Sequence, residues 1–101
     1  MNVSILIPCY NAEQWIGEAI ESALGQTYPD TEVIVWDDGS TDESPEIIAS
    51  YEPQIEWHRA PNQGGAAARN RLLERASGTW IQYLDADDYL ESDKLTQQVE
   101  D

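Results

Sequence analysis

The chain has 101 residues, 20 of them Asp or Glu against 5 Lys or Arg, for a formal charge of −15. That length holds one small domain, and 41% hydrophobic residues with 9% aromatics suffice to bury a core, which excludes a wholly disordered chain. The acidic balance disfavours nucleic acid, whose binders carry a surplus of Lys and Arg to release counterions, and equally disfavours anionic membrane surfaces.

The single cysteine, Cys9, forms no internal disulfide, and nothing suggests an oxidising compartment. No basic stretch precedes Val3, and the run Ile5, Leu6, Ile7 falls far short of the roughly 20 apolar residues that span a bilayer. The expectation is a soluble, cytoplasmic chain with no membrane segment of its own, any anchor lying in regions outside it.

Four apolar runs alternate with three helical patterns, the signature of a parallel sheet wrapped by crossover helices. The first run, 3–7, and the second, 33–36, are nearly continuous in apolar character, as central strands covered on both faces are. Between them Ile16, Ala19, Ile20, Ala23 and Leu24 form one apolar helical stripe, with Asn11 as the expected cap, Gln14 completing a capping box and Gly25 closing the helix. Ser44 is the expected N-cap of a second helix with Pro45 at its first position, burying Ile47 and Ile48 and ending at Tyr51 and Pro53. The third run, 54–59, alternates with period two and suits a sheet edge. A third helix after Gly64-Gly65 carries Ala68, Leu72, Leu73 and Ala76 on one face and stops at Gly78; a fourth strand covers 79–84, and a fourth helix starts near Ser92. The four Trp, mostly within strands, are expected in the core, with Trp15 partly exposed.

The fold class expected is therefore α/β, a Rossmann-like open parallel sheet of order 3-2-1-4 whose winding reverses between the first and fourth strands. Ligands of such sheets sit in the crevice beyond the carboxyl ends of the strands at that reversal. The strand ends carry Pro8-Cys9-Tyr10-Asn11, Asp37-Asp38-Gly39-Ser40 and Asp85-Ala86-Asp87-Asp88, so five carboxylates are expected at one lip. Two carboxylates about 4 Å apart repel by roughly 4 kcal/mol at an effective dielectric near 20, so such a cluster takes up protons or binds a cation. Mg²⁺ or Mn²⁺, with oxygen ligands and positions open to a diphosphate, fits best. Tyr10 offers a face for stacking a base, and Asp37 or Asp38 can accept hydrogen bonds from a base imide or a ribose hydroxyl. Asp85 and Asp87, two apart, would share one side of an extended segment. Gly64-Gly65 before a helix would leave amides free at a positive helix end, with Arg69 and Arg71 within two turns. These features describe a nucleoside diphosphate site with a bridging metal.

Read together, Pro8-Cys9-Tyr10-Asn11, Gln26-Thr27-Tyr28, Asp37-Asp38-Gly39-Ser40-Thr41-Asp42, Asn62-Gln63-Gly64-Gly65 with Ala68-Arg69-Asn70, and Leu84-Asp85-Ala86-Asp87-Asp88 resemble, in order and spacing, the inverting family-2 glycosyltransferases of the GT-A fold. The resemblance covers nearly the whole chain and implies transfer of a sugar from a nucleotide diphosphate donor, UDP by family habit, to an acceptor hydroxyl on a glycan or lipid-linked molecule, with inversion. By that resemblance Pro8 and Tyr10 line the base pocket and Asp38 bonds the base while Asp37 supports the turn. Arg69 lies near the diphosphate or orients the acidic pair, Asp85 contacts ribose or the metal's water, and Asp87 ligates the metal. The family's general base lies downstream of the D-x-D segment, so residues 1–101 correspond to a single donor-binding domain of a longer enzyme, and no residue here is assigned as catalytic.

Two readings from other classes stand beside this one. A non-enzymatic metal- or nucleotide-binding regulatory module shares the acidic lip. A response-regulator receiver is discounted, because its acids follow other strands and the single Lys, Lys94, lies in the last helix. Cys9 has no nearby His and reads as a buried structural thiol. His58 reads as an exposed edge residue. The fourth strand, left as an edge, is expected to expose apolar surface and favour a homodimer at high concentration.

Overall fold

A computed structural model describes residues 2–88. Strand β1 (Val3–Cys9), helix α1 (Ile16–Leu24), strand β2 (Thr31–Asp38), helix α2 (Ser44–Ala49), strand β3 (Glu56–Ala60), helix α3 (Gly65–Arg75) and strand β4 (Trp80–Tyr83) follow one another along the chain. The strands form one sheet in the order β3-β2-β1-β4, with every pair parallel. This is the architecture expected from the alternation of apolar runs and helical stripes. The helix expected near Ser92 lies outside the described residues.

The period-two rule assigns each residue of the central strands to one of two cores. Val3, Ile5, Ile7, Val33 and Val35 point to the face covered by α1 and α2, where they meet Ile16, Ala19, Ile20, Ala23 and Ile48. Leu6, Ile34 and Trp36 point the other way, onto Ala68 and Leu72 of α3. Helices on both faces account for the continuous apolar character of β1 and β2. The two successive crossovers by α1 and α2 build the sheet outward to β3, and α3 returns on the opposite face to place β4 beside β1. The direction of winding thus reverses between β1 and β4.

Several local expectations are corrected. Asn11 does not cap α1: the cap position is Trp15, with no side-chain hydrogen bond, and Asn11 sits in the left-handed region at φ 48°. Its Oδ1 instead accepts the Thr41 N–H at 2.8 Å, so the amide is used by a loop 30 residues away. Nor does Gln14 form a capping box, and Gly25 ends α1 at φ −84°, a conformation open to any residue. At α2 the cap position is Glu43, and Asp42 Oδ1 accepts the Ser44 N–H at 2.8 Å. That frees the Ser44 hydroxyl to accept the Ala12 N–H at 3.0 Å. Ile47 is only partly buried.

On α3, Leu72 is fully buried whereas Leu73 is 50% exposed, because one residue turns the helix by about 100°. Ala76 lies past the helix in extended backbone. Of the tryptophans, Trp36 is buried, Trp57 packs partly against the core, and Trp15 and Trp80 are exposed. His58 is half-buried on β3, its ring 5.8 Å from that of Trp36, with a nitrogen 2.7 Å from Glu56 Oε2. Strand β4 does expose apolar side chains, Trp80, Ile81 and Tyr83. Among the described residues no helix is long and apolar enough to cross a membrane.

Candidate donor-binding site

The carboxyl ends of β1 and β4 and the N-terminus of α3 enclose a cavity of about 350 Å³. Pro8, Tyr10, Asp38, Arg69, Asp85 and Asp87 all line it. They come from four separated stretches of the chain, at or just beyond the ends of β1, β2 and β4 and in the first half of α3. Tyr10 is 52% exposed, so its ring is open to a planar partner rather than consumed by packing. Pro8 is half-buried beside it.

Asp38 is buried at the end of β2 and holds the α3 entry in place. Its Oδ1 accepts the Gln63 N–H at 2.9 Å, and its Oδ2 accepts the Gly64 N–H at 3.0 Å and the Asn62 side-chain amide at 3.3 Å. A carboxylate offers about four acceptor positions, which leaves one for a donor from the cavity. The expectation of free amides at Gly64-Gly65 is corrected here, since the Gly64 amide is taken by Asp38. A negative group at a helix N-terminus is favourable, and the protein's own carboxylate takes that place.

Asp37 is fully buried and does not line the cavity. Its Oδ2 accepts the Ser40 N–H at 3.2 Å and lies 3.3 Å from Arg59 Nε, which makes it a support for the turn after β2. Oδ1 has no hydrogen-bond partner among the described residues. Asp88 also stands outside the lining. The expected gathering of five carboxylates therefore reduces to three, Asp38, Asp85 and Asp87. The physical reason at Asp37 is local compensation, since its carboxylate turns beneath the turn after β2 to meet Arg59 and the Ser40 N–H. Asp85 lies 3.7 Å from Arg69 Nη2, so the arginine singled out at α3 faces the acidic segment, while Arg71 pairs with Glu74 on the outer side.

The segment 85–88 is a turn, closed by Asp88 N–H donating to the Asp85 carbonyl at 3.0 Å, not an extended stretch. Asp85 and Asp87 nevertheless both face the cavity, with buried Ala86 between them. Among the described residues no group of three or more His, Cys, Asp or Glu side chains is arranged to hold a metal. Two exposed carboxylates are instead the donor set that suits a hard cation completing its shell with phosphate oxygens and water. The residues present fit Mg²⁺ or Mn²⁺ on that chemistry.

Trp15, Asn11 and Asn62 also line the cavity and were not singled out from the sequence as site residues. The signal for Trp15 was a bulky aromatic just ahead of the apolar stripe of α1. Cys9 borders the same cavity, but burial pushes its thiol up to about 11, against hydrogen bonding from Ser44 and with help from the Asp37 charge. A thiol so protonated is a poor nucleophile.

With the geometry in place, comparison with known proteins identifies the relatives. A model of glycosyl transferase family 2 matches residues 4–101. An uncharacterised glycosyltransferase of Haemophilus influenzae is 46% identical over 101 residues, covering 96% of this chain and 40% of its own length. The crystal structure of S. aureus TarS 1-349 in complex with UDP-GlcNAc superposes with a TM-score of 0.88 at 32% identity, over 99% of this chain and 30% of that one. A mannosyltransferase, PcManGT of Pyrobaculum calidifontis, solved with GDP-Man and Mn²⁺, superposes with a TM-score of 0.74 at 31% identity, over 85% of this chain and 27% of that one. The chain thus spans about two fifths of the curated relative's length. With the parallel order 3-2-1-4 and these matches, the chain belongs to glycosyl transferase family 2 and has the GT-A fold.

Proposed function

We propose that residues 1–101 are the nucleotide-sugar-binding domain of a longer inverting glycosyltransferase, with a UDP-sugar as the donor and a glycan or lipid-linked hydroxyl as the acceptor. The observation that carries this reading is the single cavity shared by Tyr10, Asp38, Arg69, Asp85 and Asp87. An aromatic face, a buried acceptor and two exposed carboxylates in one cavity suit the base, imide and diphosphate of one molecule. The solved relatives with UDP-GlcNAc and with GDP-Man and Mn²⁺ support it.

In this reading Pro8 and Tyr10 line the base pocket, and Asp38 uses its remaining acceptor position for the base imide, steadied by Asp37 beneath the turn. Asp85 meets the ribose or the cation's water, and Asp87 meets the cation directly. Arg69, held toward Asp85, orients the acidic pair and faces the diphosphate. A divalent cation would offset the charge that develops on the departing nucleoside diphosphate. The chain's own charge of −15 makes such neutralisation necessary, because the bare carboxylates repel a phosphorylated donor. The apolar side chains open on β4 support self-association at high concentration, and a cytoplasmic location belongs to the same reading.

The test is titration of UDP with and without Mn²⁺, followed by Trp fluorescence, for which Trp15 at the cavity is a reporter. Binding is expected to require the metal and to weaken at least about tenfold on Asp87→Ala, equivalent to about 1.4 kcal/mol. Binding indifferent to both metal and that substitution would overturn the reading.

A further inference from the structure

Arg59 stands on the edge strand β3, outside the cavity lining, with its side chain 54% exposed. Its guanidinium is nevertheless turned inward: Nε lies 3.3 Å from Asp37 Oδ2, and Nη2 donates to the Ser40 carbonyl at 2.9 Å. Ser40 donates its own N–H to the same Asp37 oxygen and accepts the Asn11 N–H on its hydroxyl at 2.8 Å. Asn11 in turn holds Thr41 through Oδ1. A run of polar contacts therefore leads from the sheet edge to the residue that follows Tyr10.

Two features make the far end of that run depend on its start. Asp37 is fully buried with one oxygen lacking a partner among the described residues, so the ion pair with Arg59 is a principal compensation for its charge. Asn11 stands at φ 48°, in the left-handed region that asparagine enters more readily than other non-glycine residues, and the Ser40 hydroxyl is what fixes its N–H there. Resting on the donor-site reading above, we propose that Arg59 is a positioning residue for nucleotide binding. Acting through Asp37 and Ser40, it sets the Tyr10–Asn11 wall of the cavity without touching the nucleotide. The planar guanidinium serves a carboxylate and a carbonyl at once, which the single ammonium of lysine does not reproduce.

The experiment compares Arg59→Met, Arg59→Lys and the double variant Asp37→Asn with Arg59→Met against the parent chain. Two readouts are taken: UDP affinity with Mn²⁺ at low and high salt, and amide hydrogen exchange at Asn11 and Thr41 without nucleotide. Melting temperature is recorded for each. Arg59→Met is expected to weaken UDP binding about fivefold to tenfold and to speed exchange at both amides, and Arg59→Lys to recover less than half of that loss on a logarithmic scale at either salt. The double variant, freed of the uncompensated buried charge, is expected to regain melting temperature but not affinity.

Affinity within twofold of the parent in folded Arg59→Met would overturn the proposal. So would recovery of affinity in step with melting temperature in the double variant, which marks a merely structural role, or full rescue by lysine at low salt alone, which marks long-range charge. If the parent chain ignores UDP, the donor-site reading fails, and the exchange rates alone decide whether Arg59 holds the wall: unchanged rates in Arg59→Met overturn it.

Discussion

Two glycines of positive φ separate backbone strain from steric crowding at the site. Gly39 has φ +75° and Gly64 has φ +99°, so an alanine at either is held in the left-handed half of the map. That costs about 1–3 kcal/mol, and Gly64, with ψ 162°, stands where essentially glycine alone is found. What the new methyl meets differs completely. At Gly64 nothing lies within 4 Å, whereas at Gly39 a Cβ would stand 2.5 Å from the Asn62 nitrogen and 3.2 Å from Asn62 Cα and the Pro61 carbonyl carbon. Those atoms are backbone and have no rotamer to escape into. Relief requires the 61–64 segment to move away, which stretches the amide contacts of Gln63 and Gly64 to Asp38. Losing one hydrogen bond to a charged group costs about 1.5–3 kcal/mol. Gly64→Ala is therefore expected to destabilise by about 1–3 kcal/mol and Gly39→Ala by about 3–6 kcal/mol. Urea unfolding with a shared slope measures both. UDP affinity should fall for folded Gly39→Ala, because the moved segment carries Asp38's donors with it. Two variants agreeing within 1 kcal/mol would refute the steric part of the reasoning.

Two further expectations concern the scaffold. Leu72→Ala should cost about 2–5 kcal/mol, since that side chain is fully buried, while its neighbour Leu73→Ala should cost under about 0.5 kcal/mol; comparable losses in thermal unfolding would contradict the helix phase. Glu32 ties β2 to the segment before β4: partial burial works to raise its carboxyl, but hydrogen bonds from the Ser4 hydroxyl and from the Ser77 N–H and hydroxyl outweigh it, and the group lies below its ordinary value of 4.5. A carboxyl lowered in the folded state contributes stability that is present above 4.5 and lost as pH falls through the folded value. The stability gap between the parent and Glu32→Gln should thus be widest near neutral pH and close in acid; a gap that persists unchanged to pH of about 2 would contradict the linkage.

The strands and their order were legible because burial on two faces imposes continuous apolar runs on β1 and β2, and a stripe of Ile16, Ala19, Ile20 and Ala23 fixes the phase of α1. The lip of the sheet was legible in part. Polar residues at strand ends mark where the cavity lies, and Pro8, Tyr10, Asp38, Arg69, Asp85 and Asp87 do meet there. What local pattern does not carry is how each polar group is satisfied. Asn11 looks like a helix cap from its neighbours, yet its amide is claimed by Thr41. Asp37 and Asp38 are adjacent and chemically identical, yet alternation along β2 sends one beneath the turn and the other toward the cavity. Leu73 and Trp80 are apolar by type but face outward, because composition alone does not reveal which residue of a helix or an outer strand meets the core.

The carboxylate of Asp38 serves two masters, anchoring the amides of Gln63 and Gly64 while forming part of the cavity wall. Pocket and scaffold are for that reason inseparable here. An engineer transplanting the recognition surface to a different protein would have to bring the opening turn of α3 as well, and a guest that draws on Asp38 would be felt along that helix.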